Sequence, residues 1–354
     1  MKNFIRLEKI MPDKRKKYSL ATIAAELGVS KSAVSFVLNG TARKRRISPE
    51  LEKRIREFCA RVNYLPNIHA QRMNSVQVKN IGILLNENSA PFENNPFKDY
   101  NVANIVGGIA DAAAAAGFRF SCQIYSAGMD DEVIFDWFRN KEIAGLIYYG
   151  MNMPPEWVPV FQRENYRAVG ISIDPACGVP CVNVDNFGAS FELTSRLIRS
   201  GRKKFIFLGG TGGAYPGLER YRGFREALKA AGIPFDEDNF LMAGFGRERA
   251  AELLRARHRQ KGLDADAIVC ANDSMAVGAI QFLHEAGIRV PEQIAVTGAD
   301  NTNWCEVISP ALTTFDYQCL ELGKAAFALL KDIISGAEPR NIVLKTKLLM
   351  RQSG

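Results

Sequence analysis

A chain of 354 residues, 47% hydrophobic and 24% charged, has the composition of a soluble globular protein and the length for two or three domains. No run reaches the roughly eighteen uninterrupted apolar residues of a membrane span. The charged opening MKNFIRLEKIMPDKRKK lacks an apolar core with a small-residue cleavage site, which argues against a secretory signal and predicts a cytoplasmic protein. The net charge of +8 is unevenly placed: residues 1–78 hold 17 Lys and Arg against 6 Asp and Glu, a net of +11, and the remainder carries −3. A basic, phosphate-seeking module joined to a mildly acidic body fits that division.

Residues 1–17 end in Lys14, Arg15, Lys16 and Lys17 and read as a basic extension, with Met11 a second candidate start. The stretch 20–39, LATIAAELGVSKSAVSFVLN, reads as two short helices around a tight turn. Leu20, Ile23, Ala24 and Leu27 have helical spacing, Gly28 suits a left-handed helix stop, and Ser30 can cap the next helix. In that second helix Val34, Val37 and Leu38 face inward, leaving Lys31, Ser32, Ser35 and Phe36 on the face a DNA major groove would receive. An ordinary helical hairpin is the alternative; the surrounding positive charge favours the helix-turn-helix.

Arg43, Lys44, Arg45 and Arg46 follow on a loop after Asn39 and Gly40, and four adjacent cations call for an anionic neighbour such as a DNA backbone. Ser48-Pro49-Glu50 opens a third helix, whose Leu51, Ile55, Phe58, Cys59 and Val62 close a small core. Residues 68–75 form a short segment of mixed polarity, too short to be a stable helix alone.

From Lys79 onward apolar runs alternate with helical stretches. Strands are predicted at 81–85, 118–125, 145–149, 168–173, 205–208, 267–270 and 294–297, and helices at 101–116, 130–140, 219–231, 247–257 and 274–286. That alternation predicts two parallel sheets with helices on both faces, and a ligand cleft beyond the carboxyl ends of the strands. Seven scattered cysteines and three histidines complete no zinc pattern and no nucleophile–base pair, so no metal, cofactor or catalytic residue is predicted. The loop Gly209-Gly210-Thr211-Gly212-Gly213 is glycine-rich, yet Tyr215 occupies the third glycine place of G-x-G-x-x-G and no Gly-Lys-Ser/Thr ending follows. A sugar- or nucleotide-handling enzyme would leave the basic head unexplained, and a solute-binding protein would need an export signal in its place.

Several motifs in order resemble the lac-repressor (LacI/GalR) family: GVSKSAVSFVLNG, NYLPNIHAQRM, Asn95-Pro96-Phe97, Arg220 with Gly223-Phe224, Ala271-Asn272-Asp273-Ser274, Gly298 with Asp300-Asn301, and Ser309-Pro310-Ala311-Leu312-Thr313-Thr314. The resemblance spans residues 18–354. It implies a helix-turn-helix head at 18–66, a hinge at 67–78 and a periplasmic-binding-protein-like effector domain at 79–354. The N-lobe is expected at 79–173 with 303–340, and the C-lobe at 174–302 with 341–354.

The family's activity implies a repressor that binds a palindromic double-stranded operator as a homodimer, or as a tetramer, with no membrane partner. Lys31, Ser32 and Phe36 match its base-reading positions. The family usually carries an arginine where Phe36 stands, so this operator should differ at the matching base. Ser19, Ser35, Asn39 and Tyr64 match phosphate contacts, and Ser30 opens the recognition helix. Asn67, Ala70 and Gln71 match the hinge pattern, with Met73 in place of a leucine that wedges between base pairs. Arg220, Asn272 and Asp300 match effector contacts and suit a sugar-like ligand or a nucleobase. Asp273 reads as a helix cap. Ser172 is a further cleft candidate, and Phe97, Tyr100, Tyr148, Tyr149 and Trp304 are candidates to stack on a ligand.

Overall fold

The computed structural model describes residues 18–38, 40–62, 64, 78–87, 95–126, 128–150 and 152–354. The basic extension, the hinge and the expected contacts Asn39, Asn67, Ala70, Gln71 and Met73 lie outside the described residues. The chain divides into two units, 1–77 and 78–354.

The head consists of α1 (Leu20–Leu27), α2 (Lys31–Leu38) and α3 (Pro49–Arg61), each started by a local polar side chain. Ser19 and Thr22 cap α1 reciprocally, the Thr22 amide donating to Ser19 Oγ at 3.2 Å and the Ser19 amide to Thr22 Oγ1 at 2.7 Å. Gly28 stops α1 at φ +64°, where a Cβ would be strained. Ser30 Oγ accepts from the Ala33 amide, and Ser48 Oγ from Leu51 ahead of Pro49. Ile23, Val34, Val37, Ile55 and Phe58 fill the centre, with Tyr18 edge-on to Phe58. Arg54 donates to the Leu27 carbonyl at 2.6 Å, satisfying an orphan acceptor at the end of α1.

The body contains two parallel sheets. The first comprises β1 (Asn80–Asn86), β2 (Arg119–Tyr125), β3 (Leu146–Tyr149), β4 (Ala168–Ile171), β5 (Cys181–Val184) and β11 (Ile342–Leu344), in the order β11-β5-β4-β3-β1-β2. Ile81, Ile83 and Leu85 of β1 pack into one apolar cluster and Leu84 into another, so both faces are covered, as in a parallel sheet. Three helices follow in this part: α4 (Tyr100–Ala115), α5 (Glu132–Arg139) and α6 (Trp157–Arg163). After β5 the chain enters α7 (Asn186–Arg199) and the second sheet, β6 (Phe205–Gly209), β7 (Phe240–Met242), β8 (Ala267–Cys270) and β9 (Ala295–Thr297), ordered β7-β6-β8-β9. α8 (Tyr215–Ala230), α9 (Arg247–Lys261), α10 (Asp273–Glu285) and the short α11 (Trp304–Val307) accompany it. α12 (Cys319–Ile334) packs beside α4 in the core of the first lobe.

The lobe boundaries need correction. β5 and β11 pair with the first sheet, Ile171 facing Val182 and Ile342 facing Val182, so the first crossing comes after Val184 rather than at 173. Cys305 and Leu312 belong to the second lobe's core, and Thr313 bridges Thr297, which moves the second crossing from 302 to the Asp316–Gln318 turn. β10 (Thr314–Phe315) pairs antiparallel with β12 (Leu348–Leu349). The third crossing therefore falls between Leu344 and Leu348, not at 340. Ser353 anchors the chain end to β9, exchanging hydrogen bonds with Val296.

Candidate functional site

Two surfaces collect the residues singled out above. On the head, Lys31 and Ser32 are exposed and Ser35 and Phe36 half-buried along α2. Ser19 and Ser30 serve as helix caps, and Tyr64 packs against the head core with its amide on the Cys59 carbonyl. The cationic stretch is folded: Arg43–Arg45 form a 3₁₀ turn and Arg46 closes it in the left-handed region at φ +56°. Arg43, Lys44, Arg45 and Arg46 all have exposed side chains, and the Arg45 guanidinium lies 5.0 Å from the centre of the Phe36 ring.

In the body, a cavity of about 320 Å³ lies where loops after β1, β3, β4, β6, β7, β8 and β9 converge. Arg220, Asn272, Asp300 and Ser172 line it together. Arg220 emerges from α8 and is 4% exposed. Its Nε donates to Asn186 Oδ1 at 2.8 Å, Nη1 to the Ala271 carbonyl at 2.5 Å and Nη2 to Asp300 Oδ1 at 2.9 Å. The guanidinium lies over Tyr317 and Phe315, 4.9 and 5.2 Å from the ring centres. Three of its five N–H groups are thus committed and two remain for another acceptor. Asp300 sits at φ +118°; burial raises its carboxyl above the usual range, against the opposing pull of Arg220.

Asp99 faces the same cavity. Its Oδ1 caps α4 by accepting from the Asn101 and Val102 amides at 2.8 and 3.0 Å, yet burial pushes its pKa up to about 6. Ser172, at φ +59°, shares a 2.5 Å hydrogen bond with the Tyr317 hydroxyl. Asn272, not Asp273, caps α10: its Oδ1 accepts from Met275 and its Nδ2 donates to the Phe245 carbonyl. Asp273 is fully buried behind it, accepting from Thr302, Thr314 and Cys305, and its carboxyl is pushed by burial up to about 7.

Four of the five stacking candidates fall elsewhere. Tyr148 points into the first lobe's core while its neighbour Tyr149 lines the cavity, as strand alternation requires. Phe97 lies in an exposed turn at Pro96–Lys98, and Trp304 opens α11 with more than half its surface in solvent; neither lines the cavity. Tyr100 lines a neighbouring recess with Asn104, Asp316 and Gln318, which shares Asp300 with the cavity. Sequence reasoning missed Asp99, Asn101, Asn152, Tyr215, Phe245 and Tyr317 as cavity residues.

The glycine-rich loop explains one of these. A Cβ built on Gly210 would lie 2.0 Å from Phe245 Cζ, so the glycine admits an aromatic ring rather than a phosphate. Phe245 itself sits at φ +64°. Among the described residues, no group of three His, Cys, Asp or Glu could hold a metal ion, no single helix is long and apolar enough to cross a membrane, and all seven cysteines are free.

Two family profiles match the chain, one in each unit. The profile "Bacterial regulatory proteins, lacI family" matches residues 19–67, and "Periplasmic binding protein-like domain" matches 194–354. The transcriptional regulator CelR of Thermobifida fusca is 27% identical over 97% of this chain and 100% of its own. The solved CelR–cellobiose complex covers 96% of this chain and 100% of that one at a TM-score of 0.70 and 27% identity. The lac repressor dimer bound to operator and the anti-inducer ONPF superposes over 96% of this chain and 99% of that one at a TM-score of 0.80 and 20% identity. The chain thus joins a lacI-family DNA-binding domain to a periplasmic-binding-protein-like domain, as do the LacI-family transcriptional regulators it resembles, which are not enzymes.

Proposed function

We propose that the protein is a repressor that binds a near-palindromic operator as a homodimer in the bacterial cytoplasm, and that an uncharged polyhydroxylated ligand, a sugar or sugar derivative, controls its affinity from the inter-lobe cavity. The cavity carries this reading. Its described lining offers one cation, Arg220, already matched to Asp300, alongside the second carboxylate Asp99. A phosphate or carboxylate ligand would enter beside two acids with no unmatched cation to receive it. Asn101, Asn152, Thr211 and Asn272 supply neutral donors and acceptors, and Tyr149, Tyr215 and Phe245 supply apolar rings for a sugar's C–H face. CelR, solved with cellobiose, has the same two-lobed fold.

On the head, Lys31, Ser32 and Phe36 face the bases, while Ser35, Arg43, Lys44 and Arg46 meet phosphates with Ser19 and Tyr64 at the flanks. The lac repressor of the same fold is a dimer on its operator, which supports two heads on adjacent half-sites. Ligand binding across Arg220, Asp300 and Tyr317 changes the balance between lobe arrangements and thereby the affinity for the operator.

Operator affinity of the full chain, measured against salt and against neutral sugars, sugar phosphates and nucleobases, tests both halves. A steep fall with salt and a response to a neutral sugar are expected. Salt-insensitive binding overturns the DNA reading, and a response confined to anionic compounds or nucleobases overturns the ligand reading.

A further inference from the structure

Phe36 occupies the outer face of α2 beside Lys31 and Ser32, yet its ring has no hydrogen bond to offer a base. What lies on that ring is fixed by the next turn. The Thr41 amide and Oγ1 both donate to the Phe36 carbonyl, at 2.9 and 3.2 Å. Ala42 is buried in the head core, and the Ile47 amide returns to its carbonyl at 3.1 Å. The Arg45 amide reaches the Thr41 and Ala42 carbonyls at 3.2 and 3.1 Å. This closed turn carries the Arg45 guanidinium 5.0 Å above the Phe36 ring.

A guanidinium held by its face keeps its N–H edges pointing outward, in the fork that matches guanine O6 and N7. Among the described residues no carboxylate pairs with Arg45, whereas Arg54 and Arg56 of the same unit are engaged by the Leu27 carbonyl and by Glu52. Arg43, Lys44 and Arg46 share the exposure of Arg45 but stack on no ring among the described residues. We infer that Arg45, seated on Phe36, reads a guanine in the major groove, so the base-specifying arginine comes from the turn after the recognition helix, with Phe36 as its positioning platform. The inference rests on α2 being the groove-facing helix.

The test selects binding sites for the full-length wild-type chain, Arg45→Ala, Arg45→Lys and Phe36→Leu from a duplex library with randomised half-sites. Affinities are then measured at one salt concentration on the wild-type-selected duplex and on duplexes altered at each guanine. The expected result is one guanine per half-site that is lost from the Arg45→Ala and Arg45→Lys selections, with affinity falling on the order of tenfold to a hundredfold. Replacing that G·C pair should remove most of the difference between wild type and Arg45→Ala. Phe36→Leu, which keeps apolar bulk without the aromatic face, should weaken the same preference and no other. A uniform loss on all duplexes with an unchanged selected sequence would mark Arg45 as a phosphate contact and overturn the inference, as would no loss at all. If the wild-type chain selects no sequence, the groove-facing assignment of α2 fails first, and that outcome is read separately from the Arg45 comparison.

Discussion

Arg220 in the body and Arg45 in the head sit over aromatic rings at nearly equal distances, 4.9 Å from Tyr317 and 5.0 Å from Phe36. Their surroundings are opposite. Arg220 is enclosed and donates to a carboxylate, an amide oxygen and a backbone carbonyl, whereas Arg45 is exposed and, among the described residues, is hydrogen-bonded through its backbone and not its guanidinium. The same side chain thus does two jobs. In the cavity it binds together segments from α7, the ends of β8 and β9 and the second crossing, so a ligand meeting its two spare N–H groups acts on all of them. On the head it is left for an acceptor outside the protein.

The widest gap between the two should appear on truncation. Arg220→Ala leaves the Asp300 carboxylate buried without its cation, and breaking a buried ion pair from one side costs about 3–5 kcal/mol. Urea unfolding of the full chain should show that loss in the body, together with loss of the ligand response. Arg45→Ala, by contrast, should change stability by no more than about 0.5 kcal/mol. A loss at Arg220 below about 1 kcal/mol, the scale of an exposed pair, would remove the distinction.

Gly210→Ala is the next largest. The added methyl collides with the Phe245 ring and must push it, at a cost of about 1–3 kcal/mol. Because Phe245 also lines the cavity, ligand affinity should fall while operator affinity without ligand is kept. Unchanged ligand affinity, measured by titration of the operator complex, would mean the ring has no part in the site.

How much of this was legible depends on whether the signal is local. Helix starts at Ser19, Ser30 and Ser48 and the stop at Gly28 are written within a few residues, and the continuous apolar runs of β1, β6 and β8 announce buried parallel strands. β5 was hidden because Asn183 interrupts it. That side chain is buried and satisfied by Ile173, accepting from its amide at 3.1 Å and donating to its carbonyl at 2.8 Å, a pairing no hydropathy pattern contains. β11 was hidden because its edge position leaves it half exposed. In the cavity, Arg220, Asn272 and Asp300 were legible through the motifs that resemble the family, Asn272 and Asp300 with the added support of following apolar strands, and Ser172 through its place at the lobe crossover. The choice between Tyr148 and Tyr149 needed the strand's register, since one residue's shift exchanges core for cleft. Phe245 and Tyr317 come from a turn and a crossing whose positions depend on tertiary packing; the paired glycines at 209 and 210 were the only local hint of the first.

Asp99 offers a smaller, pH-dependent test. Its folded pKa, near 6, lies above the ordinary carboxylate value of 3.8, so the protonated form favours the fold. That contribution is complete below about pH 4 and is lost as pH rises through 6. Ligand binding should run the other way, because a sugar hydroxyl donates more strongly to the carboxylate than to the neutral acid. Affinity should therefore rise from pH 5 to 7.5, and Asp99→Asn, which keeps an oxygen to cap α4, should flatten the rise. Calorimetric titration at the two pH values checks this, and an unchanged slope in the variant would assign the titration to another group.

The smallest effects belong to residues that the sequence placed at the site and the structure does not. Trp304 and Phe97 are exposed and absent from the cavity wall, so Trp304→Ala and Phe97→Ala should each shift stability and ligand affinity by no more than about 0.5 kcal/mol. Tyr149→Ala removes a ring that lines the cavity and should weaken the ligand several-fold in the same titration. If Trp304→Ala instead abolished the response, α11 would have to reach the cavity in the liganded state, and the enclosure around Arg220 would then be built by lobe movement as well as by the hydrogen bonds Arg220 donates to Asn186, Ala271 and Asp300.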